Sequence, residues 1–277
     1  MNFTINNPMP PLWMMYPHIS RYCIGWRMGY GEGYKIDFFR WQKTLSADEK
    51  SQYIEMFPSP KLWRGYWNPQ EDSDDLEEEN LFEYGLLSFW NEHGKMRYTK
   101  EQLIKKSDQP INADDCIFFK PDNTSFNIRQ DTSFQVDVEE YHSVFQYLMA
   151  EKAYLYEDKE TEEAIINASN FTEIEKLAQQ IKIEDKEIWK KCQYSVLLNG
   201  NYYKFVQNKE LRKQLLATEN KILIETDSFE QGGDIHKVDD WKGDNVLGFG
   251  LMEVRDEIKA VYKNEAKIDW KSLEKYL

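Results

Sequence analysis

Val246-Leu-Gly-Phe-Gly-Leu-Met-Glu-Val-Arg-Asp-Glu-Ile-Lys-Ala-Val-Tyr262 is the most regular stretch of the chain. Leu247, Leu251, Val254 and Ile258 recur at steps of four, three and four, which on a helix makes one apolar stripe. Such a stripe needs an apolar surface to cover it, and Lys221-Ile-Leu-Ile-Glu225 just upstream reads as a short buried strand. Cys116-Ile-Phe-Phe119 and the alternating Ser133-Phe-Gln-Val-Asp137 read as two more strands. Between them, helices are expected over about 138–156, with Val144, Leu148, Glu151 and Leu155 facing inward, and from Thr172, where Thr-Glu-Ile-Glu175 has the form of a capping box. Two more are expected over about 184–207 and 210–217. Few strands among many helices give an α+β domain, helix-rich with a small sheet.

Upstream the character changes. Six of the nine tryptophans (Trp13, Trp26, Trp41, Trp63, Trp67 and Trp90) precede residue 110, and Ser107-Asp-Gln-Pro110 follows a lysine-rich helix end as a linker would. The expected division is an aromatic-rich N-terminal region of unknown role, 1–107, and a domain over 108–277. Within the first, Ser46-Ala-Asp-Glu49 opens a short helix through Tyr53 and Met56 that Pro58 stops. Gly25-Trp-Arg-Met-Gly-Tyr-Gly-Glu-Gly33 lacks the Lys-Ser/Thr of a phosphate loop and reads as an aromatic turn. Residues 71–79 hold seven carboxylates, either a solvated loop or an acidic patch for a partner.

Composition narrows the function classes. With 35 Lys+Arg against 49 Asp+Glu the 277-residue chain carries a formal charge of -14, the wrong field for gripping long nucleic acids through their phosphates. A small basic pocket for one modified nucleotide is still compatible with that charge. No apolar run suits a membrane span, and a start with Pro8, Pro10 and Pro11 and no basic cluster is unlike a secretory signal, so a soluble, cytoplasmic protein is expected. Cys23, Cys116 and Cys192 form no CxxC pair and no even-numbered framework, and the four histidines no HExxH, so neither a disulfide scaffold nor a metal site is expected. No cofactor is expected either.

Four motifs carry a resemblance. They are Lys204-Phe-Val-Gln-Asn-Lys-Glu-Leu-Arg-Lys-Gln-Leu-Leu-Ala-Thr218, Ile222-Leu-Ile-Glu225, Trp241-Lys-Gly-Asp-Asn-Val-Leu-Gly248 and Leu251-Met-Glu-Val-Arg255. In order and spacing, over roughly residues 114–260, they resemble the NADAR family. The resemblance implies a small α+β domain, and for some members an N-glycosidase that releases ADP-ribose from guanine or cleaves a phosphoribosyl pyrimidine. It does not reach the first 107 residues.

The family's first motif, Ser-Val-Glu-Gln-Tyr-Met-Met-Ala-Glu-Lys-Ala, falls on Ser143-Val-Phe-Gln-Tyr-Leu-Met-Ala-Glu-Lys-Ala153. Phe145 therefore stands where the family has glutamate, while the lysine is kept as Lys152. Positions seven apart return to nearly the same helix face about 10 Å along, so Phe145, Met149 and Lys152 share a side. The resemblance implies that the glutamate and lysine handle the anomeric carbon, the lysine as a Schiff-base nucleophile. By spacing alone Lys152 reads first as a snorkelling surface lysine, and the motif match reverses that preference. Glu230 falls on the family's Asp-x-x-Trp-Gly, with the carboxylate kept one methylene longer and the tryptophan lost, in a loop whose Gly232 and Gly233 imply mobility. Its role is general acid or ribose contact, or else that of a solvated loop acid. Trp189 matches a family tryptophan suited to stacking on a base, though a helical tryptophan also suits a core. Trp241, Gly243 and Asn245 keep Trp-x-Gly-x-Asn, with Asn245 an expected N-cap and Gly243 opening backbone N–H groups to a phosphate.

Three functions follow. The first is an N-glycosidase acting on ADP-ribosylated guanine, which would reverse nucleic-acid ADP-ribosylation. The second is a catalytically impaired module that binds ADP-ribose, NAD or a related nucleotide, because an oxocarbenium-like transition state wants the carboxylate that Phe145 replaces. The third is a protein-interaction scaffold working through exposed aromatics of the N-terminal region.

Overall fold

The computed structural model describes residues 3–68, 95–105, 113–120 and 124–276. The expected linker at 107–110 and the acidic run at 71–79 lie outside them. The chain divides into two units. One gathers Met1–Glu78, Gln135–Val138 and Glu257–Leu277; the other holds Glu79–Phe134 and Glu139–Asp256.

The first unit is built on rings. Helices α1 (Leu12–Met15), α2 (Gly25–Met28), α3 (Tyr30–Thr44) and α4 (Ala47–Met56) bury Trp13, Trp26, Tyr34, Phe38, Trp41, Tyr53 and Phe57. Buried phenols need acceptors. Tyr53 donates to the Met9 carbonyl at 2.7 Å, and Tyr34 donates to that of Pro10. The expected surface of exposed tryptophans is therefore corrected: Trp13, Trp26, Trp41 and Trp63 are each less than a tenth exposed and form a core. The glycine-rich stretch is not a loop: it forms α2 and, after a break at Gly29, the first turn of α3. Helix α4 starts as expected, with Ser46 and Glu49 forming a reciprocal capping box at 3.3 and 2.8 Å. The C-terminal segment joins these helices. Glu257 accepts from the Lys61 N–H, Asn264 donates to the Met56 carbonyl, and the Tyr276 hydroxyl donates to Asp37, at 2.7, 2.9 and 2.6 Å.

The second unit is the α+β domain. After α5 (Lys100–Lys105), strand β1 (Cys116–Phe119) pairs in parallel with a strand far along the chain; β2 (Phe134–Val136), whose last two residues belong to the first unit, and β3 (Glu139–Tyr141) follow it in the sequence. Helices α6 (Val144–Leu155), α7 (Lys159–Ile166), α8 (Phe171–Ala178), α9 (Lys186–Gln207) and α10 (Lys209–Leu216) then lead to β4 (Ile222–Glu225), the partner of β1, and to α11 (Val246–Val261). Leu247, Leu251, Val254 and Ile258 of α11 are all buried, each side chain contributing roughly 1.5–3 kcal/mol.

Three boundaries differ from the sequence reading. The helix expected from residue 138 begins only at Val144, because Asp137, at φ 55, turns the chain into β3 and Ser143 caps the helix by accepting from Gln146. The cap at Thr172 is displaced by Asn170, whose side chain accepts from the Glu173 N–H at 3.0 Å. Helix α7 was not expected. Its charged sequence shows no long apolar stripe, and Asp158 starts it by accepting from Thr161.

Candidate functional site

Helix α6 positions the residues that the spacing had aligned. Its inner face is closed by Val144, Tyr147, Ala150 and Ala153. Gln146 donates to the carbonyls of Ile165 and Ile166 at 2.9 and 3.0 Å. A Cβ on Gly200 would stand 2.7 Å from the Tyr147 ring, so α9 lies hard against this face. Phe145, Met149 and Lys152 are all left half-buried on the outer side.

Lys152 rests on an aromatic wall. Its Nζ lies 5.7 Å from the Trp189 ring centroid, and burial lowers its pKa from the ordinary lysine value. Among the described residues it makes no ion pair. The wall is set by capping: Asp185 accepts from the Glu187 N–H at 2.8 Å to open α9, and the Tyr156 hydroxyl at the end of α6 donates to the Asp185 carbonyl at 2.5 Å.

Phe145 has a cation of its own. Its N–H donates to the Ile128 carbonyl at 2.8 Å, and its ring lies 6.4 Å from that of Phe171. The Arg129 guanidinium carbon sits 4.4 Å from the same ring, and Arg129 pairs with Glu175 at 2.5 Å. Lys204 fastens the loop that bears Arg129. Fully buried on α9, it donates to the carbonyls of Ser125 and Asn127 and to Gln130 Oε1 at 2.9, 3.0 and 3.3 Å. Burial pulls its pKa down to about 7.

Glu230, Trp241, Gly243 and Asn245 form a second group, beyond the end of β4. Asn245, buried and at φ 50, accepts from the Glu225 N–H and donates to the Leu223 carbonyl, both at 2.8 Å. Both ends of its amide thus hold the strand. Its carbonyl accepts a bond of the first turn of α11 from the Phe249 N–H at 2.9 Å, so it has the N-cap position. Trp241 is buried against Phe229 and Phe249 and donates to the Ile235 carbonyl at 3.0 Å. The Gly243 N–H donates to the Ser228 carbonyl at 3.3 Å. Glu230 is exposed and paired with Lys242 at 2.7 Å. Its loop is cross-tied, with the Asp234 N–H on Asp240 at 2.7 Å and the Glu230 N–H on the Asp240 carbonyl at 2.7 Å. No hydrogen bond, ion pair or ring contact joins Lys152 to Glu230 among the described residues.

Sequence reasoning passed over Arg129, Glu175, the burial of Lys204, and Glu225. Glu225 is half-buried at the carboxyl end of β4, its pKa raised by burial although the Ser228 hydroxyl donates to it at 3.3 Å. The Leu-Met-Glu-Val-Arg motif is structural. Buried Glu253 accepts from the Tyr194 hydroxyl and the Arg97 N–H at 2.7 and 2.6 Å. Arg255 donates to Thr218 and to the Lys221 carbonyl at 2.9 and 2.7 Å. Cys116 and Cys192 are buried thiols raised to about 11, poor nucleophiles. Among the described residues no cluster of His, Cys, Asp and Glu is arranged to hold a metal ion, and no helix is long and apolar enough to cross a membrane.

The model of the NADAR domain matches residues 104–259, more than half of the chain. The chain belongs to the NADAR family. N-glycosidase R617 of Acanthamoeba polyphaga mimivirus is 34% identical to this NADAR protein over 128 residues, covering 43% of the chain and 75% of the viral protein. Protein irg-1 of Caenorhabditis elegans is 26% identical over 160 residues, covering 52% of the chain and 76% of its own length. The NMR structure of the Escherichia coli protein YbiA is 25% identical, covers 57% of this chain and 92% of that one, and has a TM-score of 0.45.

Proposed function

We propose that this NADAR protein cleaves the N-glycosidic bond of an ADP-ribose-bearing substrate, ADP-ribosylated guanine being the first case to test, with Lys152 as nucleophile. One observation carries the reading: Lys152 is a half-buried amine, lowered in pKa, held against Trp189 and without a carboxylate partner among the described residues. An amine so placed is deprotonated more readily than a solvated lysine. Its lone pair attacks the anomeric carbon as the bond to the base breaks, and the base leaves with that electron pair and takes up a proton. The ring oxygen then leaves the same carbon and is protonated, giving the imine, and water hydrolyses the imine to free the lysine and the sugar. Glu230 and Glu225 are the carboxyls proposed to exchange protons with the base and the water. Relatedness to an N-glycosidase supports the bond type.

The experiment incubates the protein with ADP-ribosylated guanine nucleotide, follows guanine release by chromatography, and adds borohydride to trap the imine. A trapped adduct mapped to Lys152, absent from Lys152→Ala, is the expected result. Base release that survives Lys152→Ala would falsify the assignment. Phe145 favours a second reading, a module that binds ADP-ribose or NAD with little turnover, because the ring and Arg129 offer no negative charge to an oxocarbenium-like centre. Phe145→Glu separates the two. If the wild type is an impaired enzyme, turnover at saturating ligand rises at least tenfold, since the restored charge acts mainly on the transition state. A variant that binds and stays inert leaves the binding module.

A further inference from the structure

We propose that Arg129 is a specificity-determining residue that reads a phosphate on the ribosyl substrate, an inference that rests on the function proposed above. The guanidinium is presented rather than buried: its side chain is 45% exposed, with Phe145 beneath one face. Of its five N–H donors, Nη2 meets Glu175 at 2.5 Å, and the guanidinium makes no other hydrogen bond among the described residues. Glu175 is itself 43% exposed, so this is a surface pair of small worth that a doubly charged phosphate can outcompete or share.

The placement is rigid where it needs to be. The Arg129 N–H donates to Asn127 Oδ1 at 2.8 Å, closing a tight turn. Lys204 grips the backbone on both sides of Phe126 and the side chain of Gln130, and the Ile128 carbonyl receives the N–H of Phe145, in the first turn of the helix that bears Lys152. Arg129 therefore stands over the start of α6, and Lys152 lies about two turns, roughly 10 Å, further along the same half-exposed face. Lysine marks the sugar-reacting end and arginine the end where an anion is held. A ribosyl group bearing a phosphate has its anion within several ångströms of the anomeric carbon, a separation open to two long side chains rooted roughly 10 Å apart on one face; an unphosphorylated nucleoside leaves the guanidinium unused.

Two measurements on the full-length protein test this. The first is calorimetric titration with inorganic pyrophosphate, which involves no chemistry at Lys152. Binding is expected in the wild type, weakened at least tenfold by Arg129→Ala and weakened by Arg129→Lys, which loses the planar fork. Glu175→Gln is expected to tighten it severalfold by freeing the guanidinium, a gain that a purely structural arginine would not show. The second is borohydride trapping at Lys152 with ribose and with ribose 5-phosphate. The phosphate ester should trap faster in the wild type, and Arg129→Ala should equalise the two without abolishing the adduct. Equal pyrophosphate binding by wild type and Arg129→Ala, or none up to 10-millimolar order in either, overturns the role of Arg129. Equal trapping of both sugars overturns it as well and leaves the Lys152 chemistry standing. Pyrophosphate binding that depends on Arg129, with no sugar trapped, upholds the anion site and removes the nucleophile.

Discussion

Asn245 shows how much one residue of a functional-looking motif can owe to the fold. Its amide bridges two backbone groups of β4 from a left-handed backbone position, so Asn245→Ala removes two buried hydrogen bonds and leaves a non-glycine residue strained. A loss of roughly 2–4 kcal/mol is expected in urea unfolding, and Asn245→Gly, which relieves only the backbone, should recover a minor part. Lys204 makes a pH-dependent prediction. Its folded pKa of about 7 lies below the ordinary 10.5, so between those values the unfolded chain holds a proton that the folded chain has lost. Stability from this group therefore rises with pH across that window and is lowest below about 7. Lys204→Met should flatten the rise, and an unchanged pH slope in the variant would remove the account. Neither role was legible beforehand. Lys204 was visible as part of a motif, but its three oxygen partners come from a loop more than seventy residues earlier, and spacing along one helix carries no sign of them. Lys152, Met149 and Phe145 were legible as one face because helix periodicity alone decides that.

At the scale of elements, the apolar stripe of α11 and the strands β1 and β4 could be read because burial imposes period and composition on them, whereas β3 fell inside an expected helix. The start of α6, the cap of α8 and the existence of α7 could not, since each depends on short-range capping that competes with similar residues nearby. Glycines sharpen this contrast into a test. A Cβ on Gly248 would lie 2.3 Å from the Leu223 carbonyl and 2.5 Å from Asn245 Oδ1, so α11 cannot keep its contact with β4 if this residue grows. Gly33, inside α3, has nothing within 4 Å. Thermal unfolding should show Gly248→Ala destabilised by several kcal/mol and Gly33→Ala stabilised by up to about 1 kcal/mol through helix propensity. Equal effects would mean that helix propensity and not close packing governs Gly248.

At the scale of the whole molecule, the resemblance and the folding unit have different limits. The family match ends at residue 259, and the segment that follows finds its partners among the aromatic helices of the chain's beginning. Tyr276 donates to Asp37, the Tyr16 hydroxyl donates to the Tyr276 carbonyl, and Asn264 donates to Met56. A composition shift near residue 107 marks where aromatic content falls, but composition is silent about a C-terminal segment that returns to the start of the chain. A fragment covering 108–277 should consequently keep α6 to α10 while 257–276 loses its protection. Hydrogen exchange read by mass spectrometry should show that segment exchanging at least a hundredfold faster in the fragment than in the full chain, with α9 little changed. Adding residues 1–107 as a separate chain should slow it again if those hydrogen bonds and the rings around them are what hold it. Equal exchange in fragment and full chain would mean that the last turn of α11 orders the segment without the N-terminal helices, and that the division at 107 also marks the limit of a self-sufficient domain.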